Sequence, residues 1–313
     1  MIKSVQMNSI KDKIKGCIFG QAIGDALGVG TEFMTTEMVR NKYPTGLKYF
    51  HQIIEERQCG LFDKGEWSDD TDMFFCVAKA RENNHFNINK IAENFKKWFN
   101  SEPKDIGNYT EKVLGMHDYV KDPILWAEVT YKLYGSRDAA NGGIMRTSIL
   151  GTSPEVQDKE IEDVCKMTHP DKRCIGSCVI LVKLIQNLIF RDYQMDYKEL
   201  IDLGKEYDER IEEYIRLSLE DISKLKVDGD DKGYTLITLA IALWCLWHCK
   251  SFEEGLLTVV NLGGDADTNA AVACALLGAK YGYSSIPDYY KENILNSSIL
   301  EEIYKSTIRD LNI

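Results

Sequence analysis

The sequence predicts an all-α fold, a single compact multi-helix domain, and three observations carry that prediction. Apolar residues recur at spacings of three and four in several stretches, as one face of a helix requires. No alternation of apolar and polar residues persists beyond a few positions, so no half-buried strand is indicated. No G-x-G-x-x-G fingerprint follows a strand-like run. The 313 residues are 44% hydrophobic, ample for a core, and no repeat, low-complexity run or linker divides them. Residues 1–313 therefore read as one domain.

Residues 11–28 are expected to form a central helix. Gly16, Gly20, Gly24 and Gly28 recur every fourth position among Ile14, Cys17, Ile18, Phe19, Ala22, Ile23, Ala26 and Leu27. Glycine inside a helix costs up to about 1 kcal/mol relative to alanine. A row of glycines down one face makes sense where another backbone packs close against it. Asp25 on such a helix needs a partner. It is either an acid standing behind a metal site or a satisfied structural acid. Gly28 to Phe33 forms a flexible exit, and Glu32 on it suits a ligand that opens and closes over a site.

Residues 34–66, with Pro44, Gly46, Gly60 and Gly65, read as short helices and loops. In Trp67-Ser68-Asp69-Asp70-Thr71-Asp72 a hydroxyl and a cluster of acids precede Met73 to Ala80, a largely buried helix. Ile88, Ile91, Phe95, Trp98 and Phe99 mark an amphipathic helix over 88–99. Residues 100–123 are polar, carry Pro103, Gly107, Gly115 and Pro123, and are expected to form a loop-rich insert at the surface. In Asn141-Gly142-Gly143-Ile144-Met145-Arg146-Thr147, a glycine pair offers backbone N–H groups to an anion. Arg146 is either a phosphate partner or half of a structural ion pair.

Thr168-His169-Pro170-Asp171 begins another helix, with Pro170 near its first turn. Residues 174–190 read as a core helix. Residues 191–233 read as solvated helices, with Ile201, Ile211, Tyr214 and Ile215 at helical spacing and a loop around Asp228-Gly229-Asp230. Residues 234–250 and 252–260 are two further helices. The second leads into Asn261-Leu262-Gly263-Gly264-Asp265-Ala266-Asp267-Thr268-Asn269, a tight turn followed by two acids and a hydroxyl. Ala270 to Lys280, rich in alanine and leucine, then forms a helix that Gly282 stops. Acids at a helix start gain about 0.3–1 kcal/mol each from the macrodipole. Asp265 as a cap and Asp267 as a first-turn acid is thus the plain alternative. Two acid-and-hydroxyl clusters at two helix starts repel, however, unless cations lie between them. Oxygen ligands without His or Cys point to a hard ion, Mg²⁺ first, with Mn²⁺ or Ca²⁺ as alternatives. Two such clusters hold two ions about 3.5–4 Å apart.

The net charge of −11, from 38 basic and 49 acidic residues, argues against a general nucleic-acid or membrane-surface binder. Nine cysteines are scattered without a framework, and Met1 to Lys15 carries four lysines but no apolar leader. A reduced, cytoplasmic protein is expected. Cys174 and Cys178, and Cys245 and Cys249, read as buried hydrophobes rather than zinc ligands. The longest apolar stretch, Leu236 to Trp247, has twelve residues; a membrane span needs about twenty. None is expected.

Five motifs in order resemble the ADP-ribosylglycohydrolases, which include the dinitrogenase reductase-activating glycohydrolases. They are Gly20-Gln-Ala-Ile-Gly-Asp25-Ala-Leu-Gly28 with Glu32, Glu66-Trp-Ser-Asp-Asp-Thr71, Asn141-Gly-Gly-Ile-Met-Arg146, Thr168-His169, and Asn261-Leu-Gly-Gly-Asp-Ala-Asp-Thr268. The resemblance spans about residues 12–290, and Gly233 to Trp244 adds to it. It implies a compact all-α fold with two Mg²⁺ ions at the base of a cleft. One ion would be held by Ser68, Asp69, Asp70 and Asp267, the other by Glu32, Asp265, Asp267 and Thr268, with Asp267 bridging. The turn of Asn141, Gly142, Gly143, Met145 and Arg146 would cradle the ADP-ribose phosphates, and His169 would lie against the ligand. The first metal motif often begins with Thr in this family; Ser68 keeps the hydroxyl.

The implied activity is Mg²⁺-dependent hydrolysis of the glycosidic bond between ADP-ribose and a modified protein side chain, arginine first and serine second, by a monomer. Asp69, Asp70, Asp265 and Glu32 are the expected catalytic acids. Departure of the acceptor builds oxocarbenium character that carboxylates stabilise. Asp69, Asp265 or a metal-bound hydroxide then deprotonates the attacking water. An inactive ADP-ribose sensor of the same fold is the alternative. An all-α transferase acting on prenyl diphosphates is another, but it uses acids spaced D-D-x-x-D, and Asp69-Asp70-Thr71-Asp72 is not that pattern.

Overall fold

The structure, a computed structural model, describes residues 2–54, 61–134 and 139–313, excepting the side chains of residues 2–5. Gly60 and Cys59 lie outside the described residues. The chain is 67% helical with almost no sheet, as the sequence predicts. The first helices are α1 (Ile2–Gly28), α2 (Thr36–Lys42), α3 (Asp69–Ala78), α4 (Ile88–Phe99) and α5 (Asn108–Leu114). Next come α6 (Pro123–Tyr134), α7 (Asp158–Lys166), α8 (Lys172–Gln186), α9 (Tyr197–Lys205) and α10 (Arg210–Leu217). The last are α11 (Thr235–His248), α12 (Phe252–Val260), α13 (Ala266–Tyr281), α14 (Asp288–Asn293) and α15 (Ser297–Asp310). A two-stranded hairpin, Arg81–Glu82 with His85–Phe86, turns on Asn83 and Asn84. Both asparagines have positive φ, 50° and 64°. Such a pair suits a tight hairpin turn, but two residues per strand are too few to show as alternation.

The centre of the molecule is the pair α1 and α13. A Cβ on Gly16, Gly20 or Gly24 would lie 2.3, 2.2 or 2.2 Å from the carbonyl oxygens of Gly278, Cys274 and Ala270. A Cβ on Gly28 would lie 2.4 Å from the Asp267 Cα. The glycine row is therefore a bed for another backbone, and α13 matches it with small residues. This contact runs along α1 from Gly16 to Gly28 and ends at Asp267, so it delivers the start of α13 to the end of α1. Helices α11 and α12 cover α13.

Helix α8 continues into a π turn over Asn187–Arg191, giving a 20-residue apolar helix, Lys172–Arg191, longer than the stretch expected from the sequence. By length and composition it could cross a membrane, but 83% of its most apolar window is buried, with α7, α9 and α11 packed around it. The described cysteines are buried free thiols.

Residues 100–123 correct the expectation of a surface insert in part. They fold into α5 and a 3-10 turn, Tyr119–Lys121, and bury Thr110, Val113, Leu114 and Tyr119. Asp105, Asn108, Thr110 and Lys112 line a cleft, while Glu102, Lys104, Glu111, His117, Lys121 and Asp122 meet open solvent, a difference that sequence polarity does not show.

Candidate functional site: an acidic cleft

Three chain segments bring carboxylates to one place. Ser68 is the N-cap of α3. Asp25 on α1 accepts from the Ser68 N–H (2.9 Å), the Thr71 N–H (3.0 Å) and the Thr71 hydroxyl (2.6 Å). Asp25 thus pins the start of α3 with both its oxygens engaged. The second segment is the turn before α13. Gly263 and Gly264 have φ of 76° and 68°. A Cβ there would lie 2.3 Å from the Met34 carbonyl and 2.0 Å from the Val227 carbonyl. The Gly264 N–H donates to Met34 O (2.7 Å), and the Phe33 N–H donates to Gly264 O (2.6 Å). These two bonds fasten the third segment, the exit from α1, and carry Glu32 to Asp265 and Asp267.

The oxygens meet closely. One oxygen each from Glu32, Asp265 and Asp267 lie within 4.8 Å of one another, and so do one each from Asp25, Asp70 and Asp267. Asp267 belongs to both groups. The Ser68 hydroxyl donates to Asp70 Oδ2 (3.1 Å), and the Thr268 hydroxyl donates to the same oxygen (3.3 Å). Asp265 stands at the N-cap of α13 but makes no capping bond. Its Oδ2 instead accepts from Asn141 Nδ2 (2.5 Å). Glu32 Oε2 and Asp70 Oδ1 are buried without a partner.

Burial and mutual repulsion push every one of these acids up. Glu32 rises to about 9 through burial, then Asp265 and Asp105. Asp69 rises to about 8 through burial, then Asp105 and Asp25. Asp70, Asp265 and Asp267 are raised with burial as the first cause. No cation offsets them among the described residues. Gathered, desolvated, partly unpartnered oxygens of this kind suit a hard divalent cation, whose charge reverses the shift. Asp69 faces the open side and accepts from the Gly107 N–H (3.3 Å).

These acids floor a cleft of about 560 Å³. Its other wall holds Asn141, Gly142, Met145 and His169. The Asn141 N–H donates to Gly233 O (3.0 Å), fixing the turn to the start of α11. A Cβ on Gly142 would lie 2.6 Å from His169 Cε1, so only glycine fits there. Ser68, Gly143 and Arg146 do not line the cleft.

Arg146 corrects the sequence expectation of a phosphate partner or an ion pair. It is fully buried; Nη1 donates to Gly142 O (2.7 Å), and Nη2 donates to Val164 O (3.2 Å) and the Thr168 hydroxyl (2.6 Å). Its guanidinium lies 4.8 Å from the Phe95 ring centroid. It clamps the glycine turn from behind. Thr168 Oγ1 accepts from Arg146 and lies 2.7 Å from His169 Nδ1, which holds the ring in place. Burial and Arg146 hold His169 down to about 3. The ring is neutral.

One acid escaped the sequence reading. Asp105 lines the cleft with Asp69 and is a leading cause of the shifts at both Asp69 and Glu32. Its only sequence signal is an acid beside Gly107 in a polar stretch.

Helices surrounding a floor of partly orphaned carboxylates define the class, an all-α protein with a cleft suited to divalent cations. The ADP-ribosylglycohydrolase profile matches residues 6–312, and the chain belongs to that family, whose members are hydrolases. It is 28% identical to an ADP-ribosylarginine hydrolase of Serratia proteamaculans, over 94% of this chain and 79% of that one. It is 27% identical to the ADP-ribosyl-[dinitrogen reductase] glycohydrolase of Rhodospirillum rubrum, over 89% of each chain. The solved structure of an ADP-ribosylglycohydrolase-related protein complex shares the fold, with a TM-score of 0.74 at 23% identity, covering 97% of this chain and 99% of that one.

Proposed function

We propose that this protein hydrolyses the glycosidic bond between ADP-ribose and a modified protein side chain, with arginine the first acceptor and serine the second. The carrying observation is the convergence of Glu32, Asp70, Asp265 and Asp267 from separate segments, with two buried carboxylate oxygens left unpartnered. Ser68, Asp69, Asp70 and Asp267 are assigned to one divalent cation, and Glu32, Asp265, Asp267 and Thr268 to the other. Mg²⁺ is the first candidate and Mn²⁺ the second. When bound, such ions supply the positive charge that holds and polarises ribose oxygens. Arginine is favoured because the Serratia relative carries the name of an ADP-ribosylarginine hydrolase.

The chain's own groups do the rest. Gly142 presents the glycine turn to the diphosphate, beside the neutral ring of His169. Departure of the acceptor leaves positive charge at the anomeric carbon, which Asp69 and Asp70 stabilise. The acceptor departs with the bonding electron pair, Asp69 or Asp265 accepts the proton of the attacking water, and that proton passes on to the acceptor. The test is release of ADP-ribose from arginine-, serine- and base-linked substrates, with Mg²⁺ and with excess chelator. Metal-dependent release from the arginine substrate is expected. No release from any of them, beside tight ADP-ribose binding, would make the protein a sensor.

A further inference from the structure

The acidic floor accounts for the ribose at the scissile bond but not for the anionic half of the ligand. ADP-ribose carries a diphosphate, and seven carboxylates line this cleft against a single basic side chain, Lys112, among the described residues. Arg173 is engaged by Asp171 through Nε (2.8 Å) and Nη2 (2.6 Å). Arg146 is sealed behind the glycine turn. Lys112 is thus the one described side chain of the cleft that offers an anion a full positive charge.

Lys112 is exposed on α5, with its ammonium 5.0 Å from the centroid of the Tyr134 ring and no carboxylate partner among the described residues. Three residues earlier, on the same face of the helix, is Tyr109. Its ring meets His169 edge to face, with centroids 5.1 Å apart at 61°. Its hydroxyl is buried in the cleft wall without a partner. A buried hydroxyl left unpaired is unfavourable, and a ligand that brings an acceptor relieves it. Burial also raises the phenol, so the hydroxyl keeps its proton and acts as a donor. Thr110 packs beside Gly142, where a Cβ would lie 3.2 Å from the Thr110 hydroxyl. The α5 wall and the glycine turn therefore border the same space.

We propose that the side chains of Tyr109 and Lys112 form an anion subsite opposite the Asn141–Gly143 turn that takes the diphosphate of ADP-ribose. Tyr109 donates its hydroxyl to a phosphate oxygen, and Lys112 supplies the cation at the mouth. The Tyr109 hydroxyl and Lys112 on α5 then fix the ligand's direction, diphosphate toward α5 and anomeric carbon toward Asp69. The inference rests on the ADP-ribose reading above and adds the residues that orient the ligand.

The test is calorimetric binding of ADP-ribose to the Mg²⁺-loaded protein at low and high salt, for the wild type, Tyr109→Phe and Lys112→Met. Steady-state kinetics on an ADP-ribosylarginine substrate accompany it. Tyr109→Phe keeps the ring against His169 and should weaken binding about tenfold, raising KM and leaving kcat within about twofold. Lys112→Met should weaken binding several-fold at low salt and flatten its salt dependence. Loss of affinity in Lys112→Met with an unchanged salt dependence overturns the charge role. Wild-type affinity in either variant overturns the paired subsite while leaving the hydrolase reading intact. A wild type that does not bind ADP-ribose overturns both.

Discussion

Asp267 is the carboxylate on which the floor of the cleft depends, because it lies in both groups of converging oxygens. Asp267→Asn keeps the shape and removes the charge. Turnover is expected to fall by about a hundredfold or more. In chelator at neutral pH the variant should melt above the wild type, because the amide is buried neutral without having to take up a proton. Wild-type turnover would sink the assignment. His169 makes a second prediction. Its ordinary value is 6.5 and the folded value about 3. The unfolded chain takes up this proton first as pH falls. The stability from His169 is therefore present above about pH 6.5 and lost toward pH 3, at about 1.4 kcal/mol per unit. His169→Asn should make the acid limb of the stability curve shallower by about one proton between pH 4 and 6; an unchanged slope in denaturant titrations would contradict the neutral ring. At this scale the sequence was legible where chemistry is local. The Ser68–Thr71 and Asp265–Thr268 clusters announce themselves by composition. Arg146 did not, because the partners that bury it (Phe95, Val164 and Thr168) are distant in sequence. Asp25 was left open for the same reason until Ser68 and Thr71 closed it.

Among the elements, the pairing of α1 with α13 positions everything else. Gly24→Ala tests it. A Cβ there would lie 2.2 Å from Ala270 O, so the two backbones must part. Alanine gains about 1 kcal/mol in helix propensity, and overpacking costs about 1–3 kcal/mol or more. A lower melting temperature is expected. Gly107→Ala is the contrast: the nearest atom to its Cβ is Thr110 Oγ1 at 3.8 Å, and its melting temperature should stay near the wild type. Equal melts for the two variants would mean that α1 and α13 do not touch through glycine. The sequence showed this element pair by one half, the glycine row, and α4 in full, since its apolar spacing ends where the helix does, at Ile88 and Phe99. It hid α5, whose seven residues carry too little periodicity to separate a cleft wall from a surface loop.

Over the whole molecule, a chain of net charge −11 gathers several of its carboxylates where they are least tolerable, in a buried floor whose acids are raised by desolvation and by one another. Divalent cations should therefore stabilise the fold as well as serve the chemistry. Chelator is expected to lower the melting temperature, and Mg²⁺ to restore it along a saturable curve. NaCl at equal ionic strength should not restore it, because the screening length at 0.1 M is about 10 Å, while the oxygens in each group lie within 4.8 Å of one another. The pH dependence follows from the direction of the shifts. The folded values are above the unfolded ones, so without a cation the native cluster holds protons that the unfolded chain has released. The stability those protons confer is present below the ordinary carboxylate range and is lost as pH rises through about 8 at Asp69 and about 9 at Glu32. A bound cation replaces the protons and removes that loss. The drop in melting temperature caused by chelator should accordingly be larger near pH 9 than near pH 6. A drop of equal size at both, or none at either, would mean that hydrogen bonds rather than cations hold the floor together.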